Sequence, residues 1–203
     1  MNNLIDQIIT LEYKQFSSVQ NRDGRSDCQD DFTTFEIMRK YQFEMWNENL
    51  LHSYLQDLVH AEATGWNLPM EKYARMMEST AYEEYLQLKD ALPLRSQQRL
   101  LKQEELIKEI MYWYEQLKGI YPLVVATGRP LYTYQDTLEV TSTETYLRGE
   151  LTTYSDETFN LYYEQFHGCT SLEESIPYKD VLAMAKLYGY TSLEELENSL
   201  KRR

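Results

Sequence analysis

Apolar residues recur at three- and four-residue intervals along most of this chain, the period of an amphipathic helix and not the alternation of a strand. Leu4, Ile5, Ile8, Ile9 and Phe16 share a face and predict a helix from Leu4 to Phe16, with Glu12 projecting from the middle of that face. The polar run from Gln20 to Asp31 contains Gly24 and reads as a loop, its acids favouring the positive end of the next helix. A long helix is expected from Phe32 to Ala61, ending near Gly65. Phe32, Phe35, Phe43, Trp46 and Leu50 converge on one side of it, and Ile37, Tyr41, Leu51, Leu55 and Val59 lie opposite. A helix apolar on several sides belongs at the centre of a bundle.

Pro69 suits the first turn of a third helix running to Met77. Thr80-x-x-Glu83 reads as a capping box opening a short helix that Pro93 ends. Ser96 caps the next, carried by Leu100, Ile107, Ile110, Met111, Tyr114 and Leu117 and stopped by Gly119 and Pro122. Leu123 to Val140 lacks helical periodicity and reads as a structured loop, of a length often tied to function. Thr141-x-x-Glu144 predicts a helix to Leu151, and Ser155 opens another bearing Phe159, Tyr162, Tyr163 and Phe166. A loop from His167 to Pro177 leads to Tyr178–Tyr188, and Thr191 or Ser192 caps a last helix on Leu193, Leu196 and Leu200. The fold class is all-α, with residues 1–203 forming one domain of about eight helices around the long one.

Composition agrees. Seven glycines and five prolines are few for 203 residues, which disfavours a turn-rich β-sandwich. No apolar run approaches a membrane span, and the acids within MNNLIDQIITLEY do not suit a signal peptide. Cys28 and Cys169 form neither a disulfide framework nor a zinc spacing, so free thiols in the cytoplasm are expected. The net charge of -13 repels phosphate backbones and argues against nucleic acid. It suits cationic or zwitterionic small molecules, or basic protein surfaces.

The candidate chemistry is a set of charges on apolar stripes. Glu36 and Arg39 share the Phe32–Leu50 face, with Gln42 at its border and Trp46 beside them, and Glu12 lies alone on the first helix's stripe. A charge on such a face must be paired, hydrogen-bonded or in contact with a ligand. Glu71 and Arg75 share a face of MEKYARMMEST, and Glu144 and Arg148 share one of TETYLRGEL. One reading gathers these into a pocket with Glu36 or Glu12 as general base and the arginines as anchors for a carboxylate or phosphate. The plain reading is i,i+3 and i,i+4 ion pairs worth a few tenths of a kcal/mol each. Arg129 and Tyr134, in the segment from Gly128 to Asp136, form a candidate wall for the same pocket, against the alternative of an outside connector.

Metal and cofactor chemistry finds little support. His52, His60 and His167 lack the Glu-x-x-His spacing of a carboxylate-bridged di-metal bundle. The stretch Asn21–Asp30 resembles a calcium loop only loosely, since alignment on Gly24 puts Val19 in the first ligand position. The acids after Cys28 work against a nucleophilic thiolate, and TGRP matches no phosphate loop. No cofactor and no metal is expected.

CQDDFTTFEIMRKYQFEMW, EKYARMMEST, GRPLYTYQDT and TYLRGEL, in this order, resemble an uncharacterised bacterial family. It is a domain of unknown function, in some members joined to a nucleotidyltransferase-like domain. The resemblance covers Leu4 to Leu196 and implies a family without an activity. Two functions remain open: a small-molecule enzyme or binding domain built on the Glu/Arg set, and an accessory module docking a protein partner through its tyrosines.

Overall fold

Residues 2–20 and 24–202 are described by the computed structural model of the chain. In chain order the elements are α1 (Asn2–Ser17), α2 (Phe32–Glu44), α3 (Glu48–Thr64), α4 (Leu68–Thr80), α5 (Tyr82–Leu88), α6 (Gln97–Ile120), α7 (Pro122–Ala126), α8 (Thr143–Thr153), α9 (Asp156–Phe166), α10 (Ile176–Leu187) and α11 (Leu193–Leu200). There is no strand among the described residues. None of these helices is long and apolar enough to cross a membrane. Asn and Ser side chains start most of them. Asn47, Asn67, Ser96, Ser142, Ser155, Ser175 and Ser192 each accept a hydrogen bond from a backbone N–H of the first turn, a donor the helix leaves unpaired.

Three expectations are corrected. The long helix from Phe32 to Ala61 is two helices, because Asn47 accepts from Leu50 N at 2.9 Å and starts α3 afresh. Trp46 therefore sits in the connector, buried at 3% exposure. Neither threonine capping box forms. Thr80 ends α4 with its hydroxyl on Met76 O, and Ser142 in place of Thr141 caps α8. The stretch after Leu123 is not all loop, since Pro122 opens α7 and a 3-10 turn spans Thr133–Gln135.

α8 packs between α4 and α6, α1 lies on α2, α3 and α4, and α10 lies against α6 and α2. The core joins Ile8 and Ile9 of α1, Phe43 of α2, Leu50, Leu51 and Leu58 of α3, Leu106 and Ile107 of α6, and Phe159 of α9. Gly149 sets the α4–α8 distance. A Cβ there would stand 2.9 Å from Met76 Cγ and 3.1 Å from Lys72 O, so only glycine permits this approach. The C-terminal carbonyls of α8 are taken by two arginines: Arg95 Nε donates to Thr152 O at 2.9 Å and Arg99 Nη2 to Leu151 O at 2.8 Å.

Candidate functional site

Glu12 of α1, Arg39 of α2, Lys72 of α4 and Glu150 of α8 meet between the four helices. Arg39 Nε donates to Glu12 Oε2 at 2.7 Å, while its Nη1 reaches Gln42 Oε1 and, at 3.4 Å, Glu150 Oε1. Lys72 Nζ lies 3.6 Å from Glu150 Oε2 and donates to the Tyr146 hydroxyl at 2.7 Å. Tyr54 donates to Glu12 at 2.9 Å and Tyr154 to Glu150 at 3.2 Å. The side chains of Arg39, Lys72 and Glu150 each keep 11% of their surface, so the cluster is close to sealed. Gly149 is what lets Lys72 and Glu150 meet, one residue along from the close approach of α8 to α4.

Burial disfavours every charge here, and the partners decide the outcome. It would raise the Glu150 carboxyl, yet Lys72 and Arg39 overcome it and hold the group down to about 2. It works against the Arg39 guanidinium, but Glu12 and Glu150 keep that pKa well above the usual arginine value. Lys72 is likewise raised against its burial by Tyr146 and Glu150. Two carboxylates and two cations balance.

Beside this balanced set is an unbalanced one. Asp180 of α10, within electrostatic reach of Glu150 and Arg39, is raised by burial and then by Glu150 to about 7, with Arg39 opposing. Tyr162 and Tyr114 share its surroundings, their hydroxyls raised by burial foremost and by Asp180. The Asp180 carboxyl and these two hydroxyls have no hydrogen-bond partner among the described residues; Tyr162 is buried, while Asp180 and Tyr114 keep part of their surface. Trp46 packs edge-on against Tyr54, Tyr154 and Tyr162 at 5.5, 6.0 and 5.6 Å and forms the aromatic wall.

The other sequence candidates lie apart. Arg39 is bonded to Glu12 of α1 and Glu150 of α8, as a charge on an apolar face requires, whereas Glu36 is half-buried and takes no part in the network. Glu71 is buried, but it closes with Arg75 at 2.6 Å and Trp66 Nε1 at 2.6 Å, and Arg75 donates on to Pro93 O. Arg148 joins Glu104 at 2.7 Å and Glu144 at 3.0 Å on the outer side of α8. Arg129 is exposed, its guanidinium 5.1 Å from the Tyr146 ring that also covers Lys72, so this end of the loop borders the network. Tyr134 does not: it is 84% exposed and stacks on Tyr132. Sequence reasoning missed Lys72, Glu150, Asp180 and the tyrosines around them. Only Gly149 beside Glu150 gave a local signal, since a helical glycine marks a close approach.

No group of three or more His, Cys, Asp or Glu side chains is arranged to hold a metal among the described residues. In the calcium-like loop, Asn21 and Asp23 lie outside the described residues, and Asp30 is engaged by Arg25 at 2.6 Å.

A family model described as a protein of unknown function, DUF4125, matches residues 2–198, and the chain belongs to that family. No curated protein and no solved structure matches the chain.

Proposed function

We propose that this member of the DUF4125 family is a small-molecule binding or catalytic domain, its site the recess where Asp180, Tyr114 and Tyr162 face the Arg39–Glu150 network, and its ligand cationic or zwitterionic. One observation carries the reading: the network satisfies its own charges, while one carboxyl and two phenols beside it are left without partners. Asp180 and Tyr114 keep part of their surface, so a ligand can reach these groups from solvent. The cations are already engaged, so the vacant positions suit a ligand that brings donors. An ammonium group fits a carboxylate, two hydroxyl oxygens and the faces of Trp46 and Tyr154.

Within this proposal Arg39, Gln42 and Glu12 hold the recess in shape, and Trp46 lines it. Asp180, near 7, is the carboxyl matched to proton exchange at neutral pH, ahead of Glu12, which Arg39 and Tyr54 engage, and Glu36, which stands outside. A cytoplasmic setting belongs to the same proposal and rests on the two free thiols, Cys28 and Cys169, and a bacterial source rests on the sequence resemblance.

The test is calorimetric titration with putrescine, spermidine, lysine and arginine. Binding is expected to be tighter above the Asp180 pKa of about 7 than below it, because a cation prefers the ionised carboxylate. It is expected to vanish in Asp180→Asn. A panel that binds at neither pH would remove the reading.

A second reading has its own observation. α5 buries none of its residues and presents Tyr82, Leu86 and Leu88 to solvent, with Leu94 at 94% exposure just beyond. Apolar groups left out in this way suit the docking of a protein partner, such as the nucleotidyltransferase-like domain implied by the sequence resemblance. Sedimentation of the chain mixed with such a domain distinguishes the two, and Leu94→Ser should abolish any complex.

A further inference from the structure

A second cleft lies at the first turn of α10, built around a histidine that is held unusually firmly for a half-exposed residue. Glu109 of α6 accepts from two backbone donors in the turn after α9, Gly168 N at 2.9 Å and Cys169 N at 2.9 Å, and lies 2.7 Å from His167 Nδ1. Gly168, at φ 79°, supplies the left-handed backbone this turn requires. The Tyr163 ring stacks on the imidazole with centroids 4.4 Å apart. With Nδ1 on a carboxylate and one face covered, the ring's orientation is fixed, and Nε2 has no partner among the described residues.

His167 lines a cleft of about 410 Å³ whose walls include Trp113, Phe166, Ile176 and Lys179. Lys179 has no ion-pair partner among the described residues. The Glu109 latch accounts for the turn, but it leaves Nε2, the ammonium and an apolar wall converging on one space. Glu109 is already answered by these contacts, so its charge adds little to the cleft. Glu174 also lines it and disfavours a second negative charge.

We propose that this cleft binds a small organic monocarboxylate. The carboxylate lies between Lys179 Nζ and His167 Nε2, and the apolar body rests against Trp113, Phe166 and Ile176. Lys179 supplies the charge for the carboxylate, and the fixed His167 ring supplies Nε2 as its second contact. The protein's overall acidity does not forbid this, since charges beyond about 8 Å are largely screened at physiological salt.

Benzoate is the probe, and benzylamine, of matching shape and opposite charge, is the control. Calorimetry should show saturable benzoate binding, and no binding of benzylamine to this cleft. His167→Asn keeps a donor toward Glu109 while removing Nε2, and should weaken benzoate by about tenfold. Lys179→Met, a change at an exposed side chain, should weaken it by a similar factor. Absence of saturable benzoate binding, or equal binding in the parent and Lys179→Met, would overturn the proposal, as would equal binding in the parent and His167→Asn.

Discussion

Helix α8 carries carboxylates on two opposite sides, and their fates differ. Arg148 and Glu144 face outward, where Arg148 keeps about a third of its surface (32%) and meets Glu104 and Glu144 with water on hand. Glu150, only two residues further on, is turned by about 200° and faces Arg39 and Lys72 in the interior. The residue types and the distances are alike. What differs is the alternative open to each charge when its partner is removed. On the surface the alternative is water, so the pairing adds little. Inside there is none, so each charge exists by virtue of its neighbours, and taking one away strands the rest. The interior set is therefore tied to the arrangement of four helices, and the outer one is local.

That contrast is open to measurement. The largest effect should come from Arg39→Ala, which leaves Glu12 and Glu150 without their shared cation and should lower unfolding free energy by ~3–5 kcal/mol in denaturant titrations. Next comes Gly149→Ala. The added methyl presses on Met76 and Lys72 O, and ~1–3 kcal/mol of destabilisation is expected, with loosening of the Lys72–Glu150 pair. A pH-dependent effect attaches to Asp180. Its folded pKa of about 7 lies above the ordinary carboxyl value of 3.8, so between these values the folded protein holds a proton the unfolded chain gives up. Stability contributed by this group is complete below that window and lost as pH rises through it, and Asp180→Asn should flatten the slope. Glu150, lowered from 4.5 to about 2, acts in the other direction: its contribution is present above 4.5 and lost as pH falls toward 2. The smallest effect belongs to Arg148→Ala, less than ~1 kcal/mol and reduced further by salt. Equal losses for Arg39→Ala and Arg148→Ala would end the distinction between the two sides of α8.

Helix starts were legible wherever a cap stood at the edge of an apolar run, as at Ser96, Ser155 and Ser192. The break at Met45–Asn47 was not, because the apolar pattern continues across it and Asn47 reads there as one polar position among many. Glu12 and Arg39 stood out as charges on apolar faces, and both are in the buried network. Glu36 stood out for the same reason and is not, since it lies in the first turns of α2, where Phe32 on the same face is itself exposed. Lys72, Glu150 and Asp180 carry no such mark. Their partners come from distant parts of the chain, and local spacing records nothing about contacts set by the packing of α4, α8 and α10. Trp46 was read as one residue of a stripe along a single long helix, and it occupies the connector between α2 and α3.

The close docking of α8 against α4 at Gly149 also sets an order on the ribosome. Glu12 and Arg39 are both made early and can meet as soon as α1 and α2 emerge. Lys72 follows with α4, but Glu150 is made only after α5, α6 and α7 have been synthesised, an interval of several seconds at about 5–20 residues per second. Through that interval the cavity between α1, α2 and α4 stands open and its ammonium is hydrated. Entry of α8 then expels that water and closes the bundle. A nascent chain stalled before α8 should accordingly show fast amide exchange in α4, and one stalled beyond α9 should show it protected.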